Sequence, residues 1–447
     1  MYVGIDDTDN KNEMCTTYII SQIARNSRYD IIGYPGLVRL NPNISHKTRG
    51  NGALNINLGK GAGNKKIIGK INDKYVYSYD RIKEEPDAYE LMDLIYGIVS
   101  DYYVKEDENT NPGIVVSSSR FHPQLYMKAL EDDIRPEFIE NYLDGRAIYR
   151  KINNGHGIIG AAASLAWPAE KITYELLDYK YPHYNFLQRD TKLSMASIPE
   201  KYESTFNNID YANNYPAIFP KFKTPVIFGI RGVNSYDLLK IYDEMKANYN
   251  IKDEGFIIFE TNQGTDDHII NEPEYLFELG SYSITVVVSS YPYNIHGGHY
   301  FIGAKYKNID INLAAFEPTK DFRKIIWSLI PGDVVKAYGS YSMGTIKLEK
   351  IKIISLSKNL KAEPPVCPNC RVKTKSKGKL DYRCPVCRRR YKNPEIYIIN
   401  RKIKEGFYEV PIIARRHLTM PLKLINYFGE ENDMYNWNSS NGQNHGV

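Results

Sequence analysis

Short apolar runs alternate with helical patterns through the first half of the chain. Met1–Ile5 is an apolar run typical of a buried strand, and Tyr18–Arg25 carries apolar residues at the 3.6-residue spacing of a helix. The same patterns predict strands at 33–40, 113–117, 147–152, 173–177, 226–231 and 255–260. Helices are predicted at 86–104 and 236–249, and a glycine-rich stretch opens another helix that ends at residue 167. This alternation indicates an α+β protein, in which residues 116–225 are compatible with a ferredoxin-like unit.

From residue 281 the pattern changes to the two-residue period of β-strands. Strands are predicted at 282–290, 300–306 and 309–317, then a helix at 321–330, then strands at 334–339 and 345–356. Three strands, a helix and two strands form the order of an OB-fold β-barrel, which binds oligonucleotides on one face. A barrel that serves only as a protein contact is the alternative. Residues 205–225 are predicted to be a long connection and residues 430–447 a disordered tail.

Composition places the chain among ordinary soluble proteins, with 447 residues, 42% of them hydrophobic and 25% charged. There is no apolar stretch of eighteen residues, and the first strand already carries acids, so we expect a cytoplasmic protein without a membrane partner. Positive charge is concentrated late in the chain: residues 361–447 hold 17 Lys and Arg against 8 Asp and Glu. A basic module on a nearly neutral body favours an anionic polymer as partner, although basic tails also serve solubility alone.

Four of the five cysteines form two Cys-Pro-X-Cys pairs, Cys367 with Cys370 and Cys384 with Cys387, thirteen residues apart. Four thiolates at this spacing can converge on one structural Zn²⁺ ion and leave no open coordination position. Disulfides or a redox motif are the alternative, which a reducing cytosol and the duplication disfavour. Four lysines alternate between the pairs and would share one face of a strand, where they could follow phosphates: Lys373, Lys375, Lys377 and Lys379.

Three carboxylates end the first predicted strand, Asp6, Asp7 and Asp9, and Cys15-Thr16-Thr17 precedes the first helix. Carboxylates suit Mg²⁺, which takes one or two of them together with substrate phosphates, while the amides of a helix N-terminus favour phosphate. The alternative is that Asp7 and Asp9 form an Asx turn and that Thr16 is only an N-cap. Both interpretations stay open on this motif alone.

The loop 41–52 carries two cations among glycines, Lys47 and Arg49 next to Gly50, suited to phosphate or to charge that develops during phosphoryl transfer. A solvated turn is the alternative. His156 lies in a glycine-rich stretch before a helix, and we interpret it as structural. Cys15 has no neighbouring histidine, so a small buried residue is the favoured role.

Several motifs together resemble the archaeal tRNA-isoleucine 2-agmatinylcytidine synthetases. They are Gly-Ile-Asp6-Asp7-Thr8-Asp9 with Cys15-Thr16-Thr17, Arg39-Leu-Asn-Pro-Asn43 through Lys47-Thr-Arg49-Gly50-Asn51, Gly157-Ile-Ile-Gly160 and Thr261-Asn-Gln-Gly-Thr-Asp-Asp267-His268, followed by the barrel pattern and the four cysteines. The resemblance covers nearly the whole chain. It implies a multidomain α+β fold with an N-terminal kinase-like α/β domain, a ferredoxin-like domain, an OB-fold β-barrel and a C-terminal zinc ribbon.

The corresponding boundaries are 1–115 for the kinase-like domain, which later segments up to 275 could complete, and 116–225 for the ferredoxin-like domain. A strand-helix-strand segment at 226–280 completes the N-terminal part, 281–360 forms the barrel, and 361–429 holds the ribbon and a basic RNA-binding region.

The resemblance also implies an activity. It is ATP-dependent conjugation of agmatine to position 2 of the wobble cytidine in an isoleucine tRNA with a CAU anticodon, with ATP, Mg²⁺ and Zn²⁺ as cofactors. Asp6, Asp7 and Asp9 would hold the metal and catalyse phosphoryl transfer, and Thr16 would be the position that the family phosphorylates on itself. We predict ATP contacts from Thr8, Lys47, Arg49 and Gly50, and RNA contacts from Lys373, Lys375, Arg388, Arg389, Arg415, Arg416 and His417. Asp266 and Asp267 are candidates for agmatine, with a solvated loop as the alternative.

Two rival hypotheses remain at this stage. One is a noncatalytic RNA-binding factor in which the barrel and the ribbon do everything. The other is an RNA kinase or ligase that uses a different nucleophile.

Overall fold

The protein contains a large mixed β-sheet covered by helices, a β-barrel and a small cysteine-rich module. The computed structural model describes residues 1–10, 14–45, 47, 50–181, 187–221 and 223–428. The predicted tail at 430–447 lies outside the described residues.

The elements of the first part run in chain order. They are β1 Tyr2–Asp6, α1 Thr16–Asn26, β2 Asp30–Arg39, β3 Gly52–Ile71, β4 Lys74–Glu84, α2 Ala88–Tyr102, β5 Gly113–Ser117, α3 Pro123–Glu131, α4 Pro136–Leu143, β6 Ile148–Lys151, α5 Gly157–Leu165, β7 Thr173–Tyr179, α6 Arg189–Ala196, β8 Thr205–Phe206, β9 Ile209–Asp210, β10 Tyr215–Pro216, β11 Val226–Gly232, α7 Ser235–Tyr249 and β12 Gly255–Thr261.

The second part follows from residue 269. Its elements are β13 Ile269–Asn271, β14 Ser281–Val288, β15 Tyr293–Ile295, β16 His299–Tyr306, β17 Ile309–Ala315, α8 Phe322–Trp327, β18 Val334–Ser342, β19 Thr345–Ser355, β20 Asn359–Glu363, β21 Lys375–Gly378, β22 Asp381–Arg383, β23 Arg390–Tyr391, β24 Glu395–Ile399, β25 Gly406–Glu409 and α9 Ile425–Phe428.

One ten-stranded sheet runs through the first part in the order β6-β5-β1-β3-β4-β2-β12-β7-β11-β8. The long strand β3 joins its two halves, because it pairs with β1 near its beginning and with β12 at its end. On β1, Val3 and Ile5 pack with α1 and α2, whereas Gly4 on the opposite face lies against Ala161 of α5. Successive residues of a strand point to opposite faces, so β1 is buried between two helical layers.

Five strands of the second part close into a barrel in the order β14-β18-β19-β17-β16, with β16 pairing back to β14. Its interior is an apolar core that includes Ile284, Ile302 and Leu313, with Phe322 and Ile326 of α8 packed against it. The predicted order of three strands, a helix and two strands is confirmed. β25 adds to this sheet by pairing with β19, which returns the chain to the barrel after the cysteine-rich module.

Two features differ from the sequence-based expectations. The hairpin of β3 and β4 was not predicted, because glycines and lysines interrupt its two-residue period. The predicted connection at 205–225 contains the short strands β8, β9 and β10, of which β8 pairs with β11. In the part of the chain that the structure describes, no helix is both long and apolar enough to cross a membrane.

Candidate active site

A cavity of about 630 Å³ opens where the end of β1, the start of α1, the segment 207–231 and the segment 412–417 meet. Six of the lining residues are carboxylates: Asp6, Asp7, Asp9, Asp132, Asp133 and Glu175. Six others are cationic: Arg39, Lys47, Lys221, Arg231, Arg415 and Arg416. Most of these residues are far apart in sequence, so the fold brings together opposite charges around a space large enough for a small-molecule substrate.

Asp6 and Asp7 form the acidic floor of this cavity at the end of β1. The Asp6 Oδ1 atom accepts a hydrogen bond from the Asp7 backbone N–H at 2.7 Å, and the Asp7 Oδ2 atom accepts one from the Asn111 N–H at 3.1 Å. Loss of surrounding water raises the pKa of Asp6 to about 7 and that of Asp7 to about 8, and the neighbouring carboxylates act in the same direction on both. A positive charge placed beside these two groups would lower both pKa values, because it would favour their charged forms.

Asp7 and Thr16 do not have the roles of the alternative interpretation, in which Asp7 forms an Asx turn and Thr16 is the N-cap of α1. The Asp7 side chain bonds to Asn111, more than a hundred residues away, rather than to a local turn. The N-cap of α1 is Cys15, and Thr16 is the first helical residue. Thr16 is buried and lines the cavity, whereas Thr8 is fully buried and is not among the lining residues.

Two glycines of α5 allow the helix to approach the floor. A Cβ atom at Gly160 would lie 1.9 Å from the Asp6 Oδ2 atom, and one at Gly157 would lie 2.6 Å from the Asp6 carbonyl oxygen. Because these separations are far below van der Waals contact, a side chain at Gly157 would clash with backbone, and one at Gly160 would displace the Asp6 carboxylate. The Gly157-Ile-Ile-Gly160 motif thus fixes where the Asp6 carboxylate sits.

A buried network around Arg39 and Arg231 forms what we call the cationic side of the cavity. The Glu175 carboxylate lies 2.8 Å from Arg231 Nη2 and 4.0 Å from Arg39 Nη2, and it accepts a hydrogen bond from the Gln263 amide. The Gln263 Oε1 atom in turn lies 2.7 Å from His417 Nδ1. One carboxylate faces two guanidinium groups here, so the network keeps excess positive charge beside the cavity. One signal for this network was present in the sequence, since Glu175 and Arg231 are charged residues within apolar strands.

Of the predicted ATP-binding residues in the loop 41–52, Lys47 and Gly50 line the cavity. Partial burial and the neighbouring Arg416 lower the pKa of Lys47. Arg49 lies outside the described residues.

The predicted RNA-binding residues Arg415, Arg416 and His417 line the cavity. The Arg415 guanidinium lies 2.6 Å from a Glu409 oxygen, and Arg416 donates to the Asn43 amide oxygen at 2.6 Å. The backbone N–H of Gly264 donates to the His417 carbonyl at 2.8 Å. The segment 412–417 is therefore held against the N-terminal part of the protein.

Asp266 and Asp267, the agmatine candidates, are not among the cavity-lining residues. Asp266 pairs with Lys350 of the barrel, and the Asp267 carboxylate accepts a hydrogen bond from the Tyr126 hydroxyl at 2.8 Å. Both side chains connect parts of the protein to each other. The solvated-loop alternative does not describe them either, since Tyr126 and Lys350 are buried.

The four cysteines of the C-terminal module come together in the structure. One sulfur atom from each of Cys367, Cys370, Cys384 and Cys387 lies within 4.8 Å of all the others, and all four are free thiols. The Cys367 and Cys387 sulfurs are 3.6 Å apart, close to the ~3.8 Å that a tetrahedron of Zn–S bonds requires. The arrangement fits Zn²⁺, and this sulfur separation is much longer than the ~2.05 Å of a disulfide bond.

The basic residues around these cysteines are exposed. Lys375 and Lys377 lie on β21, while Lys373 precedes that strand and pairs with Glu363. Lys379 follows the strand, so the four lysines do not share a single strand as the alternation suggested. Arg388 and Arg389 are exposed beside the second cysteine pair.

A first prediction concerns the acidic floor without metal. Because folding raises the pKa values of Asp6 and Asp7 above their ordinary range, the folded protein binds more protons than the unfolded chain, and stability is lost as pH rises from about 4 to 8. Asp7→Asn removes one of these charges. In EDTA at about pH 8.5 we expect the variant to be more stable than wild type by roughly 1–3 kcal/mol, as measured by urea unfolding. The gain should shrink towards pH 4, and a gain of equal size at both pH values would contradict this electrostatic explanation.

Comparison with known proteins identifies relatives over nearly the full length. Three family models match: the TiaS TCKD domain at residues 2–151, the TiaS FLD domain at 155–268 and the TiaS C-terminal zinc ribbon domain at 364–403. The tRNA-isoleucine 2-agmatinylcytidine synthetase TiaS of Thermoplasma volcanium is 44% identical over 429 residues, covering 96% of this chain and 98% of the relative. The synthetase of the same name from Archaeoglobus fulgidus is 35% identical and covers 96% and 98%.

Solved structures agree with these relatives. The complex of TiaS with its isoleucine tRNA and ATP matches with a TM-score of 0.80 and 33% identity over 94% of this chain and 96% of that one. The complex of TiaS with the same tRNA, AMPCPP and agmatine matches with a TM-score of 0.79 and 31% identity over 96% and 98%.

Proposed function

This chain belongs to the TiaS family of tRNA-isoleucine 2-agmatinylcytidine synthetases, and from that premise we propose that the cavity between its acidic and cationic sides is where ATP, agmatine and the wobble cytidine react. The activity is ATP-dependent conjugation of agmatine to a cytidine of the isoleucine tRNA. The observation that carries the location is the juxtaposition of Asp6 and Asp7 with Arg39 and Arg231 around one space.

The reaction explains why both charges are needed. The C2 carbonyl of cytosine is a poor electrophile, and its oxygen is a poor leaving group until it is phosphorylated. Phosphoryl transfer depends on positioning and on stabilising charge on the transferred group. The amine of agmatine can then displace phosphate. A cytosine must also leave its stack to reach a cavity, so modules that grip the RNA are expected beside the catalytic part.

Asp6 and Asp7 are the residues that would hold Mg²⁺. Their raised pKa values fit that role, because a divalent cation would supply the favourable charge that these carboxylates lack once burial has removed water from them and placed them close together. When bound, Mg²⁺ offsets the charge of the phosphates. Asp9 lies beside this pair, and Thr16 sits in the first turn of α1, where free backbone N–H groups favour phosphate. Lys47, Arg49 and Gly50 would contact ATP phosphates from the loop 41–52. Thr8, which is fully buried, would support the ATP-binding residues from outside the cavity lining.

The five-stranded barrel is, in this proposal, an OB fold that binds the tRNA with the ribbon. Exposed aromatic rings on the barrel support this role, since bases stack on such rings: Tyr291, Tyr293 and Trp327. In the ribbon, Lys373, Lys375, Arg388 and Arg389 would follow the phosphate backbone. Arg415, Arg416 and His417 would meet the nucleotide inside the cavity. The kinase-like and ferredoxin-like domains would share the ten-stranded sheet, and the location would be cytoplasmic.

The decisive experiment is a mass spectrum of nucleosides from the CAU-anticodon isoleucine tRNA after treatment with the protein, Mg-ATP and agmatine. We expect 2-agmatinylcytidine, and none when ATP or agmatine is left out. Binding of tRNA without ATP consumption would support the noncatalytic factor. A modified tRNA formed without agmatine would support the kinase or another ligase.

A second prediction concerns the ribbon. Cys370→Ser removes one of four zinc ligands, so we expect zinc loss by metal analysis and tRNA affinity weakened by roughly tenfold, because the basic surface of the ribbon depends on the metal for its fold. ATP binding should be unchanged.

Asn369→Ala is the matched control, since it lies in the same turn and carries no sulfur. Wild-type tRNA affinity in a zinc-free Cys370→Ser protein would contradict the assigned role. Both proteins should lose tRNA affinity as salt rises, because Lys and Arg contacts release counterions.

A further inference from the structure

His417 has an unusual position for a histidine in this protein, since its side chain is exposed to a cavity whose neighbouring wall is cationic. Its backbone is anchored by the hydrogen bond from Gly264 N–H to its carbonyl oxygen. Its Nδ1 atom lies 2.7 Å from the Gln263 Oε1 atom. The imidazole is thus fixed at two points while remaining accessible to a bound molecule.

The hydrogen-bond network around Gln263 determines which ring nitrogen carries hydrogen. The Arg231 Nε–H group donates to Gln263 Oε1 at 3.2 Å, and the Gln263 amide nitrogen donates to Glu175. Because both contacts require this orientation of the amide, Oε1 is an acceptor, and His417 Nδ1 must donate its hydrogen to it. The Nε2 atom of the uncharged ring therefore presents a lone pair.

Charge keeps the ring in that uncharged form. Arg39 lowers the pKa of His417 most, followed by loss of surrounding water and by Arg231 and Lys221. The carboxylate within this network, Glu175, is already shared between Arg39 and Arg231. An imidazole surrounded in this way enters the reaction as a proton acceptor.

Gly50 borders the edge of the His417 ring that carries Nε2. A Cβ atom at this position would lie 3.1 Å from His417 Nε2 and 2.9 Å from its Cδ2 atom. Any larger residue would press on the edge of the ring that carries the lone pair. Gly50 and His417 both line the cavity, and glycine at this position keeps a side chain off that edge.

Building on the function proposed above, we infer that His417 Nε2 takes the proton that leaves the agmatine nitrogen as this nitrogen bonds to C2 of the phosphorylated cytidine, and returns it to the departing phosphate. The new C–N bond forms with the lone pair of the neutral amine. The C2–O bond breaks, and its electron pair leaves with phosphate. The transferred proton ends on that phosphate, giving HPO₄²⁻, while the product keeps one hydrogen on the new nitrogen. No oxidant or further reactant is required.

The cations around His417 suit this sequence of steps. Arg39, Arg231 and Lys221 can hold the departing phosphate, whose negative charge would offset theirs. The ring then becomes a better proton acceptor when the phosphorylated base is bound than when the cavity is empty. The nitrogen also becomes much more acidic as its bond to C2 forms, which brings donor and acceptor closer in proton affinity.

The test uses His417→Ala in the full-length protein, with single-turnover formation of 2-agmatinylcytidine as the readout. We expect the rate to fall roughly 10²-fold and to recover when free imidazole is added, because the exposed position leaves room for imidazole to replace the ring. Recovery should follow the concentration of uncharged imidazole as pH is varied. His122→Ala, an exposed histidine at the start of α3, should keep the wild-type rate with and without imidazole.

Two results would overturn the inference: an unchanged rate in His417→Ala, or a slowed rate that imidazole does not restore while tRNA binding is intact. Should this variant fail to fold, ¹⁵N-histidine NMR of the wild-type protein decides. A hydrogen on Nδ1 supports the inference, and one on Nε2 contradicts it. If the wild-type protein itself makes no 2-agmatinylcytidine, the proposed function fails, and this outcome is distinct from failure of the His417 role.

Discussion

Asp7→Asn is expected to lower the rate of 2-agmatinylcytidine formation by about 10³-fold or more. The substitution preserves the size of the side chain, and an amide oxygen can still accept the hydrogen bond from Asn111. What it removes is a negative charge at the position where the metal and the phosphates of ATP would meet. ATP consumption should fall in parallel, whereas tRNA affinity should stay within about twofold of wild type, because the barrel and ribbon are untouched.

Asp101→Asn is the matched control, as Asp101 is an exposed acid on α2 outside the cavity. It should form product at the wild-type rate. Unaltered ATP consumption in Asp7→Asn would remove Asp7 from the catalytic centre. A lowered rate of product formation, together with the stability gain expected for the same variant, would show that the fold keeps an unfavourable charge cluster because the reaction needs it.

Gly160→Ala is expected to reduce product formation by roughly 10²-fold, since displacements of about 1 Å at a reacting centre have effects of this size. An added methyl group would overlap the Asp6 Oδ2 atom, 1.9 Å away, and would come within 3.1 Å of Ala53 Cβ. The carboxylate is the part that can move, so we expect it to shift while the fold is kept. Rate measurements together with urea unfolding separate the two effects.

Gly97→Ala provides the comparison, because Gly97 lies on the exposed face of α2 and an added Cβ meets nothing within 4 Å. Alanine there should leave the rate unchanged and stabilise the helix by about 0.5–1 kcal/mol. If Gly160→Ala behaves like Gly97→Ala, the tight approach of α5 does not position Asp6.

The sequence predicted those parts of the site that are continuous in the chain. The apolar run of β1 ending in Asp6 and Asp7 and the cysteine pairs both lie where local patterns placed them. The barrel was predictable because each of its strands carries a clear two-residue period. Local signals suffice when an element and its function lie on the same few residues.

The cationic side of the cavity was harder to foresee. Glu175, Arg231 and Gln263 come from three different strand regions and meet only because β7, β11 and β12 are neighbours in the sheet. Tyr215 and Phe219 line the cavity from a segment that the sequence indicated was only a connection. A one-dimensional pattern records burial along one element, and it does not record which elements become neighbours.

The segment 412–417 illustrates the same limit. Its consecutive Arg415, Arg416 and His417 were predicted to contact RNA as part of a basic region. The structure instead ties them to Glu409, Asn43 and Gln263, and so to three regions far apart in the chain. Charge alone indicated the anionic ligand, while the location depended on partners that no local motif names.

This anchoring has a consequence for the order in which the protein is made. The segment 412–417 leaves the ribosome after the other described wall residues of the cavity, so a nascent chain can fold β1, α1 and the ten-stranded sheet while that side still stands open. Catalytic competence would arrive in a single late event, when the trailing segment docks. Polypeptides released early would carry the acidic floor but lack His417, and would therefore be unable to complete the modification of the tRNA.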